Sequence, residues 1–449
     1  MSRKLVSRDV FAVILSVSIM VGMFGTPAFS QRISRSDREM ALAMLDVVAT
    51  DVRKDYYDPK LHGLDWDAKV RQAREEIEKA PELEVAYLQI AAVLEALNDS
   101  HTFFVSPGFT QKYDYGWRFQ MVGKRCYVTH VRPGSDAEAK GIKPGDQVLT
   151  LNGFGPTRET LWKMEYVLET LSPMRVLPVE VLSPSKKVLQ VDIRARVRQT
   201  KIIRDIDDVV GRDKWRMRLA TEEAKRMARV RYEEFGPELM IVKIPEFVQS
   251  ELEIEGMIDK ARKHSALIID LRGNGGGVEE SLKHWLGGLF ANDVKIADRK
   301  ERTKTTAVTA KSDRRHVFSG KLIVLVDSRS ASAAELFARV VQIEKRGTVL
   351  GDHTSGATME ARFAYHTTGM NPSYSYGAMV TQAELVMPDG KSLEHLGVTP
   401  DETLLPLATD IASENDPVMA HAAALVGTRL DTASAGKLFP FEWPKEVGF

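Results

Sequence analysis

The chain has 449 residues, of which 43% are hydrophobic and 28% charged, as in soluble globular proteins rather than disordered ones. This length is too great for one ordinary core and predicts two to four domains. Basic and acidic residues number 62 each, so the formal net charge is zero. Because nucleic-acid-binding proteins need a basic excess to neutralise phosphates, the balance argues against a nucleic-acid partner.

The N-terminal residues have the pattern of a signal peptide. Three basic residues precede an apolar run from Val10 to Phe24, and a segment with small residues then ends at Ser30. We therefore expect residues 1–30 to be cleaved before Gln31 and the protein to be exported, periplasmic or secreted. The alternative is an uncleaved membrane anchor, although the run is short for a span of roughly 20 residues.

The cysteine and histidine content predicts neither a disulfide nor a metal site. Cys126 is the single cysteine, which excludes an intramolecular disulfide. It lies in a strand-like stretch, where a buried small hydrophobic residue is favoured over a nucleophile. His353 and His366 are isolated, and no Cys/His cluster has metal-ligand spacing, so no metal is expected.

Residues 31–105 are predicted to form a small helical unit. Ser36 and Glu39 have the spacing of a capping box, and apolar residues recur behind them at helical intervals. Two further amphipathic runs follow, from Trp66 to Ile77 and from Val85 to Leu97.

Residues 106–197 change to strands and turns. A strand from Arg125 to Val131 leads through a Pro-Gly-Ser turn to a short helix, from Ala137 to Lys140. A G-I-K-P-G-D turn and a strand that closes in Asn152-Gly153 follow. This order resembles a PDZ domain, a module that binds a peptide as an added strand and captures its terminal carboxylate on backbone N–H groups.

The next segments predict a charged connector and an α/β domain within residues 198–405. The connector is placed at 198–236, and residues 406–449 are a C-terminal extension without an assigned role. Strands alternating with helices indicate a largely parallel sheet. The expected strands are Met240 to Ile244, Ala266 to Leu271, Leu322 to Val326 and Thr348 to Leu350, and the expected helices are Phe247 to Lys263, Glu279 to Leu289 and Ala333 to Ile343.

Three turns in this domain could carry chemistry. Ser332 lies between an apolar strand and a helix, a position suited to a nucleophile but also to an ordinary N-cap. The glycine-rich turn at 273–277 could aim N–H groups at an oxyanion; it lacks the G-x-x-x-x-G-K-[ST] arrangement of a phosphate-binding loop. The third is the polar turn at 393–401.

The order D-L-R-G-N-G-G-G, S-A-S-A-A-E and L-E-x-x-G-V-x-P-D resembles the tail-specific (C-terminal processing) serine peptidases, peptidase family S41. The resemblance covers Ser36 to Leu405 and implies a multidomain protein: a helical unit, a PDZ-like module and a ClpP/crotonase-like α/β catalytic core. It implies hydrolysis of protein or peptide substrates through an acyl-enzyme, with Ser332 as the nucleophile and no cofactor.

One position departs from the processing-protease branch of the family. Ala357 stands where the lysine of G-x-x-T-x-G-K-G would be, and alanine cannot accept a proton, so a Ser–Lys dyad here is excluded. The sequence instead resembles the tricorn-core-like branch, whose Ser-His and Glu positions correspond to Ser100, His101 and Glu394. The resemblance implies that His101 is the general base, Glu394 orients and stabilises its imidazolium, and Ser100 is an auxiliary hydrogen-bonding group.

The resemblance also implies two sets of binding groups. The oxyanion donors are expected to be the N–H of Ala333 and that of Gly275 or Gly276. Gly116, Trp117 and Phe119 lie where related peptidases carry the carboxylate-binding loop, although a single glycine replaces the usual glycine-rich turn. The two aromatic residues could instead belong to the core.

Two other functions remain open at this point. The same fold serves non-catalytic retinoid- and fatty-acid-binding relatives, which also lack the lysine, and a scaffold protein could use its PDZ groove alone. Taken singly, His101 could be a helix-terminal histidine and Glu394 a solvated carboxylate. Their joint presence with Ser332 favours the enzyme. Oligomeric state and substrate identity are left open.

Overall fold

In the computed structural model, the residues described are 33–107, 111–199, 222–369 and 374–444. The expected signal peptide, residues 1–30, lies outside them. Within these ranges, no helix combines the length and the apolar character needed to cross a membrane.

The N-terminal unit has the three predicted helices, and their bounds are α1 Arg35–Asp55, α2 Trp66–Lys79 and α3 Leu83–Glu95. The capping box expected at Ser36 is wrong. Ser34 is the N-cap, because its backbone is extended and its Oγ accepts a hydrogen bond from the N–H of Asp37. A short strand, β1 (Phe103–Val105), follows α3 and leads out of this unit.

The next module has the predicted PDZ architecture, a five-stranded antiparallel sheet in the order β3-β4-β5-β6-β7 with a separate β2–β8 pair. Cys126 is buried in its core, and burial raises the pKa of this thiol to about 12, which confirms the structural interpretation. The elements are β2 Gln111–Asp114, β3 Trp117–Val122, β4 Arg125–Val131, α4 Asp136–Ala139, β5 Gln147–Leu151, α5 Leu161–Tyr166, β6 Val176–Leu182, β7 Val188–Arg194 and β8 Arg196–Gln199.

The predicted parallel sheet is present with six strands in the order β18-β15-β14-β11-β10-β9, of which only β9 is antiparallel. The expected connector at 198–236 is wrong at its end, because β9 pairs with β10 as the edge strand of this sheet. The elements are α6 Glu222–Ala228, β9 Arg231–Phe235, β10 Leu239–Lys243, α7 Glu251–Ala261, β11 Ala266–Asp270, α8 Glu279–Gly287, β12 Val294–Glu301, β13 Thr305–Ala310, β14 Lys321–Val326, α9 Ala333–Ile343, β15 Thr348–Gly351, β16 Glu360–Thr368, β17 Tyr374–Val386 and β18 Glu402–Thr403.

A second, antiparallel sheet of β1, β17, β12, β13 and β16 was not predicted. In it, β1 pairs with the long strand β17, so that Phe104 lies opposite Ala378. Since Ser100 and His101 immediately precede β1, this pairing fixes the end of the helical unit to the catalytic domain.

The C-terminal extension completes the domain core. It forms α10 Ala408–Ala412, α11 Pro417–Leu425 and α12 Thr432–Gly436. Val418 and Met419 of α11 are buried against one face of the parallel sheet, and α7, α8 and α9 cover the other. Strands covered on both faces are almost continuously apolar, as β11 is before its last residue, Asp270, and β14 is after its first, Lys321.

Candidate active site

Ser332 lies at the turn between β14 and α9, in a strained backbone conformation with φ 55° and ψ −119°. An L-residue is held there only when its surroundings determine it, and such positions cluster at functional sites. Its N–H donates to the carbonyl oxygen of Ala357 at 2.8 Å. The residue that replaces the lysine therefore contacts the proposed nucleophile through its backbone and supplies no base.

Glu335 fixes this turn, and the sequence analysis missed its role. Its carboxylate is fully buried and accepts hydrogen bonds from Thr354 Oγ1 at 2.6 Å, Gly356 N at 2.7 Å, Ala357 N at 2.9 Å and Ser332 N at 3.1 Å. Burial raises its pKa to about 7, against the opposing effect of these donors. The S-x-x-E spacing of Ser332 and Glu335 was the available signal.

We expect Glu335→Ala to lower the free energy of unfolding by about 3 kcal/mol, because four donors would lose a buried acceptor. Urea denaturation measures this change. The matched control is Glu344→Ala, an exposed position just beyond the same helix, with an expected change within about 0.5 kcal/mol. Equal effects of the two substitutions would contradict this role.

The glycine-rich turn lies beside Ser332, and its N–H groups are not equivalent. The N–H of Gly276 donates to Asn274 Oδ1 at 2.8 Å, so the expected role of Gly276 as an oxyanion donor is wrong in this arrangement. A Cβ on Gly276 would lie 2.6 Å from the Cβ of Ser332, so only glycine fits. The N–H groups of Gly275 and Ala333 have no hydrogen-bond partner in the described ranges, which leaves this pair available.

Asn274, through its backbone, and Asp327, through its side chain, hold the glycine-rich turn against residues 327–332, the nucleophile turn. The Asn274 carbonyl accepts from the N–H of Ala331 at 2.9 Å, and its side chain donates to the carbonyl oxygen of Ile244. Asp327 Oδ1 accepts from the N–H of Gly273 at 2.8 Å and from that of Arg329 at 3.0 Å. These hydrogen bonds fix the glycine-rich turn relative to Ser332.

Ser100, His101 and Glu394 meet, although Glu394 does not bond to His101 as expected. Ser100 Oγ lies 2.7 Å from His101 Nδ1 and donates to Glu394 Oε2 at 3.0 Å, and the Ser100 N–H donates to Glu394 Oε1 at 2.7 Å. Ser100 thus lies between the other two residues, instead of being auxiliary to them.

This order determines the histidine tautomer. Because the Ser100 hydroxyl hydrogen goes to Glu394, the oxygen has to accept from His101 Nδ1. A neutral His101 then carries its proton on Nδ1 and has a free lone pair on Nε2, as a general base requires. Burial lowers the pKa of His101, and the charges of Glu394 and Asp99 oppose this effect.

One dipeptide contacts both Ser332 and Glu394. Ala357 bonds to Ser332, and the N–H of the next residue, Thr358, donates to Glu394 Oε2 at 2.9 Å. No hydrogen bond joins His101 to Ser332 in the described residues. Such contacts are often long without substrate and tighten when it binds.

Asp99 is a second residue that the sequence analysis missed. Its Oδ1 accepts from the N–H groups of His101 at 2.9 Å and Thr102 at 2.6 Å and from Thr381 Oγ1 at 2.8 Å, and its Oδ2 accepts from Tyr56 at 2.7 Å. These bonds anchor the Ser100–His101 turn to β17. An aspartate whose side chain accepts hydrogen bonds from the N–H groups two and three residues later forms an Asx-turn, and the aspartate at this position was the available signal.

Two of the three expected substrate-binding residues of the PDZ module, Gly116 and Trp117, are engaged in contacts within that module. The N–H of Gly116 donates to Asp114 Oδ1 at 3.0 Å, and Trp117 is a buried core residue that packs on Phe119. Phe119 accepts a hydrogen bond from Arg329 of the catalytic domain through its backbone carbonyl. In the described part of the chain, no cluster of three His, Cys, Asp or Glu residues could hold a metal ion.

Comparison with known proteins identifies both modules. Residues 238–404 match the model of peptidase family S41, and residues 108–193 match that of the PDZ domain. The tail-specific protease of Haemophilus influenzae is 26% identical over 275 residues, 58% of this chain and 36% of that protein. The chloroplastic C-terminal processing peptidase of Tetradesmus obliquus is 25% identical over 393 residues, 80% of this chain and 77% of that one.

Solved structures have the same fold. Mature CPAF in complex with lactacystin superposes with a TM-score of 0.62 at 15% identity and covers 84% of this chain and 96% of its own. The photosystem II D1 C-terminal processing protease has a TM-score of 0.50 at 19% identity, with coverages of 90% and 100%. At these identities the likeness concerns the fold.

Proposed function

We propose that this chain is a peptidase of family S41, whose model matches residues 238–404, and that it hydrolyses proteins or peptides through an acyl-enzyme formed on Ser332. The observation that carries the proposal is the relay from Glu394 through Ser100 to His101, assembled from residues 294 positions apart in sequence.

In the proposed acylation step, Ser332 Oγ attacks the scissile carbonyl carbon while His101 Nε2 takes its proton. The imidazolium is stabilised by Glu394 through Ser100, and the N–H groups of Gly275 and Ala333 bind the oxyanion. When the tetrahedral intermediate collapses, the C–N bond breaks, and His101 returns the proton to the leaving amine. Water, deprotonated by His101, then hydrolyses the ester and releases the acid product and free Ser332.

Fluorophosphonate labelling tests the proposal, because this reagent reacts only with an activated serine. We expect purified protein to be labelled, and peptide mass spectrometry to locate the adduct on Ser332. A protein that stays unlabelled and cleaves no unfolded casein would contradict the peptidase proposal and favour a ligand-binding protein or a PDZ scaffold.

The relay predicts a measurable role for Ser100. We expect Ser100→Ala to lower kcat by about 10- to 100-fold with little change in KM, because the tautomer and the link to Glu394 are lost but the base remains. Adding Glu394→Gln to Ser100→Ala should cost little more, since residues acting as a unit are non-additive. Fully additive losses would show that Glu394 acts independently of Ser100.

The buried position of His101 predicts the pH dependence of kcat/KM. Burial lowers the pKa of His101 from its ordinary value of 6.5. The imidazole therefore becomes protonated only on the acidic side of pH 6.5, and kcat/KM should fall to half of its maximum there. Glu394→Gln removes a charge that raises this pKa, so its acidic limb should move lower still. A wild-type midpoint above 6.5, or a shift to higher pH in the variant, would contradict this.

The basic residues and apolar run before Gln31 support a further proposal, that the protein is exported. Fusing residues 1–30 to a bacterial alkaline phosphatase that lacks its own leader tests it, because that reporter is active only where its disulfides form. Activity equal to that of the leaderless reporter would contradict export.

A further inference from the structure

A side chain from the nucleophile turn occupies the groove of the PDZ domain, which we define as the space between β3 and α5. Arg329, three residues before Ser332, donates to the carbonyl oxygen of Phe119 on β3 at 2.6 Å. The same guanidinium donates to Glu165 Oε1 on α5 at 2.5 Å. One arginine of the catalytic domain therefore bridges both walls of the PDZ groove.

The edge of β3 is occupied at a second point. Ser328 Oγ donates to the carbonyl oxygen of Met121, two residues along the strand from Phe119. Residues two apart direct their carbonyls to the same edge of a strand, and the opposite edge of β3 pairs with β4. A peptide added to β3 would need these two acceptors, so it would compete with Ser328 and Arg329.

The charge of the groove restricts what can replace Arg329. Glu165 forms its ion pair with Arg329, and Glu169 lies close enough that Glu165 adds to the effect of burial in raising its pKa. Lys112 and Arg118 also influence Glu169, but the Arg118 guanidinium donates to the carbonyl of its neighbour Trp117. Without Arg329, the partly buried carboxylate of Glu165 would lose its ion-pair partner while it still interacts with the like charge of Glu169, which is unfavourable.

We propose that the PDZ groove binds a peptide strand that carries an arginine or lysine side chain, and that this peptide enters by displacing Arg329 from Phe119 and Glu165. The cationic side chain takes over the contact with Glu165, and the peptide backbone takes over the contacts with β3. The inference deepens the proposed function and rests on it in one respect: we take the bound peptide to be a substrate of the peptidase.

Peptide binding to the full-length chain carrying Ser332→Ala tests this without turnover. The probes are fluorescein-labelled alanine-rich decapeptides with a free carboxylate, each with one arginine placed at successive positions, and matched peptides with the uncharged isostere citrulline. Fluorescence anisotropy should show, at one or two positions, at least about tenfold tighter binding of the arginine peptide. Equal affinities at every position would overturn the proposal.

Two groove variants and one control sharpen the test. Glu165→Gln should reduce the preference for arginine over citrulline to within about twofold, and Arg329→Gln should tighten binding of the arginine peptide by about tenfold because the internal competitor is gone. Arg339→Gln, which removes a surface ion pair with Asp389, is the control and should change neither value. Cooperative thermal unfolding of each variant confirms folding; unchanged affinity in folded Arg329→Gln would overturn the proposal.

The outcome is separable from the test of the catalytic proposal. If wild-type protein is labelled at Ser332 but the arginine preference is absent, only the groove inference fails. If labelling is absent while arginine peptides bind and Glu165→Gln abolishes the preference, the groove inference stands and the peptidase proposal fails.

Discussion

Ser332→Ala is expected to lower kcat/KM on the order of 10⁶-fold, to a residual rate set by binding and by the oxyanion donors alone. The substitution removes the one atom that forms the acyl bond. It should not unfold the protein, because alanine bears the same backbone penalty as serine at φ 55° and the contacts of the residue's N–H with Ala357 and Glu335 persist.

Cleavage of a quenched fluorescent casein, measured with fluorophosphonate labelling and urea denaturation, checks this expectation. Ser185→Ala, at an exposed hairpin serine of the PDZ module, is the matched control and should retain full activity. If Ser332→Ala retained one per cent of wild-type activity after contaminating proteases were excluded, Ser332 would not be the nucleophile.

His101→Ala should cause a loss of the same order, because without the base Ser332 Oγ stays protonated at neutral pH. In this variant the Ser100 N–H still donates to Glu394, and Asp99 still accepts from the N–H of Thr102. The turn at residues 99–102 should therefore keep its fold. The double variant His101→Ala, Ser332→Ala should be no less active than either single variant, since the two residues act as one unit.

The measurement is the same cleavage assay, with the rate of fluorophosphonate labelling as a second readout. His316→Ala, which removes a partly exposed histidine paired with Asp259, serves as the control and should label at the wild-type rate. Normal labelling of His101→Ala would exclude His101 as the base and direct attention to another acceptor near Ser332.

The sequence was sufficient to predict those strands and helices whose residue pattern depends only on neighbouring residues. The strands β10, β11, β14 and β15 and the helix α9 were predicted within a residue or two, because buried parallel strands are continuous apolar runs and helices repeat every 3.6 residues. The antiparallel sheet was missed, since its long strand β17 pairs with β1, which lies more than 250 residues earlier in the chain.

In the candidate active site, too, some features could be predicted from single residues and others depended on long-range contacts. Ala357 excluded a lysine base from the sequence alone, because the chemistry of one side chain sufficed. That Ser100 separates Glu394 from His101, and that Asn274 takes the N–H of Gly276, depended on distances of tenths of an ångström between side chains.

What the sequence by itself determined is therefore which residues are the candidates for the reaction: a serine at a strand-to-helix turn, a histidine, a glutamate and a glycine-rich turn. The tertiary structure decided which of their atoms meet, and it placed Arg329 in the PDZ groove. The physical reason is that hydrogen bonds are directional and short-ranged, whereas a sequence pattern records only residue type and spacing.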